Sequence, residues 1–213
     1  MLLKMFSLVA AHLPSNSLRL QAYRLRGYRL GKACRIGFGA IICVDSFACG
    51  EGVSIGSGNR FIGPMNVSIG DRCIIGRKNY FTTGESAIHS QKNYARSLVM
   101  EDDVLIHEQH IIDLYGKITI GKGTWIAGFR SQFLTHGLSV QDRDIMIGQE
   151  SYIGSGAYFL PGSQIGNRCI VGMGSVVTRK INEDNVIISG FPAAVMRDRT
   201  PDDYHNFDVN TIV

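Results

Sequence analysis

Between residues 147 and 177 a bulky apolar side chain returns every six positions, as Ile147, Ile153, Phe159, Ile165, Val171 and Val177. Four positions after each of the first five comes a small residue: Ser151, Ala157, Ser163, Cys169 and Ser175. A period of six is neither the 3.6 of a helix nor the 2 of a strand, so it describes a repeating unit with corners. Three six-residue sides per turn aim every apolar residue at the axis of a coil and lay the small residues beneath the neighbouring turn. Glycine at 148, 154, 166 and 172, directly after the apolar residue, relieves the tight corner. Two position classes held in phase over this many repeats are the signature of a solenoid.

The same pattern begins earlier and less regularly. It runs through Ile36, Ile42 and Ala48, slips by one residue to Ile55 and Phe61, slips again near Pro64, and resumes at Ile69, Ile75 and Phe81. Ala40, Ser46 and Cys73 take the small positions. Residues 84–98 break the pattern and read as a loop thrown out from one corner. The coil resumes through Val99, Leu105, Ile111 or Ile112, Ile118, Ile120 and Ile126. A second polar interruption covers 135–146. The predicted organisation is an N-terminal helical cap over 1–30, a coil over 31–182, and a C-terminal extension and tail over 183–213. Loops that interrupt a regular solenoid are where function concentrates.

Residues 1–30 carry no hexads. Leu18, Leu20, Leu25 and Leu30 alternate with Arg19, Arg24, Arg26 and Arg29, which reads as a short amphipathic helical segment broken at Gly27. Such a segment covers the unpaired strand edges at the end of a coil; its basic face also suits a peripheral contact with an anionic membrane. The apolar start, Met1 to Ala11, has a single lysine inside it and no small-x-small site after it, so it is read as part of the protein and not as an export signal. No stretch reaches the roughly 20 apolar residues needed to span a bilayer.

Composition narrows the setting. Net charge is +4, which points to anionic small molecules or a membrane surface more than to nucleic acid. The 25 glycines, without a Gly-X-Y period, fit a coil of many corners. The five cysteines are scattered and odd in number, and Cys73 and Cys169 occupy the small-residue position of the repeat. A reduced, cytoplasmic protein follows, at the inner face of the membrane if the basic segment is engaged there.

The most specific stretch joins Ile147-Gly148, Tyr152-Ile153-Gly154-Ser155-Gly156, Leu160-Pro161-Gly162, Ile165-Gly166, Gly172-Met173-Gly174-Ser175-Val176-Val177-Thr178 and Gly190-Phe191-Pro192-Ala193. In order and spacing it resembles the hexapeptide-repeat acyltransferases, among them the galactoside, maltose and serine acetyltransferases and the O-acetyltransferases of surface-polysaccharide pathways. The resemblance implies an all-β fold, a left-handed parallel β-helix, although the general rule for parallel crossovers favours the opposite hand. It also implies a homotrimer with sites built between subunits. Two positions depart from the family: Tyr152 stands where Trp is usual, and Met173 where Ala is usual.

Transfer of an acyl group from a thioester to a sugar hydroxyl needs a base, donors for the developing oxyanion, and a groove for the thioester. The resemblance places the base at His136, shortly before the regular block. Histidine suits the task because it is largely neutral at pH 7. Without a serine or cysteine placed as nucleophile, direct attack of the hydroxyl is expected. Asp113, Asp142 and Asp144 are the carboxylates available to orient His136. His107 and His110, on an earlier turn, and Tyr152 are the candidates for acceptor contact; His89 is a weaker one in the first loop, and His12 and His205 have no assigned role. For acetyl-CoA, the resemblance lays Gly154, Ser155, Gly172 and Met173 along the pantetheine arm. It sets Thr178, Arg179, Lys180 and Arg197 towards the phosphates, where cations make physical sense. No metal and no nucleic-acid partner is expected.

The leading reading is therefore an acetyl-CoA-dependent O-acetyltransferase acting on a sugar hydroxyl in surface-polysaccharide biosynthesis. N-acetylation of a nucleotide-linked amino sugar uses the same machinery. A gamma-class carbonic anhydrase would bind zinc through histidines such as His107, His110 and His136, but their spacing differs from the expected pattern. A non-catalytic β-solenoid scaffold is the remaining alternative, and the irregular loops argue against it.

Overall fold

The computed structural model describes residues 2–89, 94–137 and 140–203. His205 and the end of the C-terminal tail lie outside the described residues, as do parts of both interrupting loops. The chain forms a left-handed parallel β-helix whose three faces are parallel sheets. The first face contains Ser46–Cys49, Asn66–Ile69, Ser97–Met100, Lys117–Ile120 and Ile145–Ile147; the second, Ser54–Ile55, Leu105–Glu108, Trp125–Phe129 and Tyr152–Ile153; the third, Ile41–Cys43, Tyr80–Thr82, Ile111–Asp113, Gln132–Leu134 and Tyr158–Phe159. The described cysteines are all free thiols. Burial pushes the thiol of Cys73 up to about 11, so it packs as a small apolar residue.

The hexad slips have a physical origin in the first face. In the regular block, stacked partners such as Tyr152 and Ile170 are 18 residues apart. In the early turns, partners such as Ser54 and Ile74 are 20 apart. The early strands of the first face are four residues long, and their alternation turns two side chains inward: Phe47 with Cys49, Val67 with Ile69, Leu98 with Met100, Ile118 with Ile120. Ala48 and Val99, expected at the axis, point outward between these pairs, and Ser46, expected in the small slot, is exposed. Of Ile111 and Ile112, the latter is the buried one.

The core is a set of columns in which each side chain rests on its equivalent one turn away. On the third face Ile42, Phe61, Phe81, Ile112, Phe133, Phe159 and Val177 follow one another in register. The rings of Phe61 and Phe81 stack at 4.1 Å and those of Phe133 and Phe159 at 5.0 Å. Glycine is required where turns come closest: a Cβ on Gly121 would sit 2.6 Å from the Gln149 amide nitrogen.

The N-terminal segment is two helices rather than one, α1 (Leu2–Ala11) and α2 (Asn16–Leu25). The break falls at Pro14, with Ser15 capping α2 by accepting the Leu18 N–H. Tyr23 and Tyr28 are buried against the first turn. Tyr23 Oη donates to the Ala40 carbonyl at 2.8 Å and accepts the Ile42 N–H at 3.2 Å; Tyr28 Oη does the same for Val44. Two phenols thus satisfy an otherwise open strand edge. At the other end the coil continues past residue 182, because Val186–Gly190 still pairs with Ile170 and Val171 on the second face and buries Val186 and Ile188. Ala193–Asp198 then folds back antiparallel on that strand and closes the edge.

Removing one ring from the stacked core column costs both burial and dispersion. Phe133→Ala is expected to lower unfolding stability by about 3–5 kcal/mol. Met146→Ala, at a half-exposed outward position, should change it by about 1 kcal/mol or less. Urea unfolding followed by circular dichroism distinguishes the two.

Candidate active site

Both interrupting loops leave the coil at the same edge, where the third face turns into the first. Thr82 ends one strand of the third face and Leu134 ends another two turns later, and Asp113 lies between them in register with both. His136 follows Leu134 at this edge. Asp113 is buried, while the His136 ring is 59% exposed. His136 Nδ1 lies 2.9 Å from Asp113 Oδ2. The carboxylate is held in turn by the Thr135 N–H at 3.1 Å, with the Thr135 hydroxyl oxygen alongside. That hydroxyl donates to the Asp113 carbonyl at 2.6 Å and accepts the Gly116 N–H at 2.9 Å.

A carboxylate accepts hydrogen bonds only, so Nδ1 carries a proton and Nε2 lies on the side of the ring away from Asp113. Of the three candidate carboxylates, Asp113 is therefore the one on His136. Asp142 pairs with Lys180 at 2.7 Å, and Asp144 accepts the Lys117 N–H.

Tyr115, exactly one 21-residue turn before His136 in the register that pairs Ile112 with Phe133, packs on the His136 ring at 5.8 Å between centroids. Its hydroxyl bonds Ser86 Oγ at 2.8 Å, and Tyr94 meets it edge-on at 5.3 Å. The Arg143 guanidinium lies over the Tyr94 ring at 5.1 Å and donates to the Thr135 and Gly137 carbonyls. Tyr94, Tyr115, Gly116 and Arg143 line an open cleft of about 340 Å³, which meets His136 through Tyr115 and is not lined by His136 itself. Tyr94, Tyr115 and Arg143 went unnoticed in the sequence. A turn of three six-residue sides counted back from His136 lands on Ile118, so only the 21-residue register of this turn brings Tyr115 to it; nothing in the sequence showed that the two loops share an edge.

His110 is not at the surface. It is fully buried at the edge between the second and third faces, in the small-residue slot four positions after Ile106. The slot holds Ala40, Asn59, Asn79, His110, Ser131, Ala157 and Ser175 from turn to turn. Its polar members bond the next turn: Asn59 Oδ1 accepts the Asn79 N–H, Asn79 Oδ1 the His110 N–H, and His110 Nδ1 the Ser131 N–H, at 2.9 to 3.1 Å. The acceptor role expected of His110 is replaced by a structural one. His107 is half-buried at this second-to-third edge, not at the edge of His136. Among the described residues no three metal-ligating side chains converge.

The residues expected to meet acetyl-CoA fall on two edges. Gly154, Ser155, Gly172 and Met173 lie at the second-to-third edge; Thr178, Arg179 and Lys180 lie at the edge of His136, all three exposed. The Gly154 and Gly172 amides are used in the ladder, donating to Val171 and Ile188. The amides of Ser155 and Met173 have no acceptor among the described residues, so they are the donors open to a ligand. A Cβ on Gly128 would overlap Ser155 Oγ, so glycine there makes room for that serine. Met173 is 78% exposed, and its Cγ would lie 3.0 Å from a Cβ on Gly154. Arg179 and Lys180 line a shallow cleft with Ala194 and Val195. Arg197 is held by Asp203 at 2.6 and 2.9 Å on the closing hairpin. Tyr152 stands on the second face next to Trp125, its partner one turn before.

Comparison with known proteins agrees with this architecture. Residues 144–179 match the family described as bacterial transferase hexapeptide (six repeats). The chain is 28% identical over 149 residues to a galactoside O-acetyltransferase of Lactococcus lactis subsp. lactis (strain IL1403), covering 68% of this chain and 69% of that protein. It is 29% identical over 120 residues to a putative lipopolysaccharide biosynthesis O-acetyl transferase, WbbJ, of Escherichia coli (strain K12), covering 47% and 60%. Among solved structures, a UDP-N-acetylglucosamine acyltransferase from Campylobacter jejuni shares the fold with a TM-score of 0.50 at 13% identity, over 88% of this chain and 78% of that one.

His110 makes stability depend on pH. Burial lowers its pKa from 6.5 to about 4, with the charge of His107 acting in the same direction and the Gly128 carbonyl opposing. The folded state holds the ring neutral while the unfolded chain protonates it near 6.5, so unfolding takes up a proton between these values. This contribution is intact above pH 6.5 and is lost as pH falls towards 4, about 3 kcal/mol in all. In scanning calorimetry the melting temperature of the protein should fall more steeply between pH 7 and 5 than that of His110→Asn, a variant carrying the residue already used in this slot at Asn59 and Asn79.

Proposed function

We propose that this chain, whose residues 144–179 match the bacterial transferase hexapeptide family, is an acetyl-CoA-dependent O-acetyltransferase. Its acceptor is a sugar hydroxyl of a surface polysaccharide or its precursor. The likeness to galactoside and lipopolysaccharide O-acetyltransferases supports the reaction class. The observation that carries the reading is the exposed His136 ring held by buried Asp113 at 2.9 Å.

In the proposed reaction Nε2 of His136 takes the proton of the acceptor hydroxyl as its oxygen attacks the thioester carbonyl. Asp113 keeps the ring in the tautomer that has a lone pair at Nε2 and stabilises the imidazolium that forms. Collapse of the tetrahedral intermediate expels the coenzyme thiolate, and the imidazolium returns its proton to that sulfur. The acetyl group passes directly to the sugar, without an acyl-enzyme. The aromatic faces of Tyr94 and Tyr115 suit the apolar face of a sugar ring in the cleft beside His136.

The amides of Ser155 and Met173 suit the amide carbonyls of the pantetheine arm, and Arg179 and Lys180 suit phosphate. The base and these two amides stand at different edges of one coil, separated by the width of the third face. A trimer that sets the His136 edge of one copy against the Ser155–Met173 edge of the next brings them to one thioester. That requirement is the physical argument for a homotrimer. A cytoplasmic setting follows from the donor, with the buried thiols in keeping.

Calorimetry should show micromolar binding of acetyl-CoA by the protein and equally by His136→Ala, while His136→Ala loses transfer to a sugar acceptor by about 10²–10⁴-fold. Asp113→Asn offers an amide N–H to Nδ1 and reverses the tautomer; its kcat should drop by about 10³-fold with KM for acetyl-CoA unchanged. Absence of coenzyme binding, or full activity in either variant, contradicts the reading.

A further inference from the structure

Helix α1 is packed the reverse of an ordinary surface helix. Its small residues, Ser7, Ala10 and Ala11, face the coil and are buried. Its large apolar residues face outward: Leu2 is 81% exposed, Val9 65%, Met5 58% and Leu8 50%. Leu18 and Leu25 of α2, and Phe38 on the first turn, extend the exposed apolar surface at this end of the coil.

Charge distinguishes this end from the rest of the molecule. Residues 1–44 hold seven lysines and arginines and no aspartate or glutamate, whereas the remaining residues hold 15 basic against 18 acidic side chains. Arg19 is buried and donates to the Ile36 and Leu13 carbonyls, so it is structural. Lys4 pairs with Glu85. Arg29, Lys32 and Arg35 are exposed on the same segment, as is Arg24, which also donates to the Leu30 and Gly31 carbonyls.

We propose that this end of the coil docks on an anionic lipid bilayer, α1 lying in the interface with its apolar side in the acyl region and the arginines and Lys32 against the headgroups. At ten residues α1 is about 15 Å long, too short to cross a bilayer and suited to lie along its surface. A bilayer answers both features at once, because acyl chains cover the leucines and anionic headgroups neutralise the cations. A second copy of the same surface would bring basic residues against basic residues with no acid from this segment between them. Attachment through α1 does not depend on the transfer chemistry.

The test is co-sedimentation of the full chain with vesicles of phosphatidylcholine alone or with about one third phosphatidylglycerol. Binding to the anionic vesicles should exceed that to neutral ones by about tenfold or more, and should weaken as salt is raised. Leu2→Gln/Met5→Gln/Val9→Gln, which changes one exposed stripe of α1, should lose at least about tenfold in binding while its circular dichroism, oligomeric mass and coenzyme binding stay unchanged. Arg29→Glu/Arg35→Glu should abolish the preference for anionic lipid. Failure of the unaltered protein to pellet with anionic vesicles overturns the proposal. So does a triple variant that pellets normally but falls apart in light scattering, since α1 would then cover another copy of the chain.

Discussion

The structure depends on parallel stacking in register. Each turn donates its backbone hydrogen bonds to the next, so every residue rests on its equivalent 16 to 21 positions away, apart from the two inserted loops. This converts a local sequence position into a column running the length of the coil. The phenylalanines of the third face and the glycines at the corners are consequences of that rule. A large side chain is welcome where a column lies inside the coil and excluded where two backbones nearly touch.

The corner between the second and third faces shows the same rule acting on polar residues. A side chain in the small slot either leaves the backbone of the next turn undisturbed, as alanine does, or supplies an acceptor to its N–H, as Asn59, Asn79 and His110 do. An unpaired amide inside the coil is costly. A histidine in this slot is therefore a neutral structural group, and its lowered pKa reports burial rather than catalysis. A perturbed pKa marks function only where the group can also reach a substrate.

At the opposite corner of the third face the regular stacking is interrupted. There the chain inserts residues twice at the same edge, and the columns place Tyr115 and Asp113 each against His136. Rigid rungs above and below fix the Asp113–His136 pair, and the inserted segments supply Tyr94 and Arg143 around it. The scaffold holds the reactive pair with the precision of a sheet, while the shape of the cleft is left to loops free to vary.

The sequence by itself determined the solenoid, its six-residue sides and its corners, because periodicity is a local property carried by neighbouring residues. It also determined that His136 stands apart from the repeat and that Cys73 and Cys169 are packing residues. It misplaced Ala48, Val99 and Ser46, because the extra inward side chain of each four-residue strand is invisible until turns are aligned. It left Asp113, Asp142 and Asp144 equivalent, and it offered His110 for acceptor contact. Only the tertiary structure decided those matters, since which residues share an edge depends on the number of residues in every intervening turn and loop. That number sets Asp113 beneath His136, gives Asp142 to Lys180, and encloses His110 in the coil.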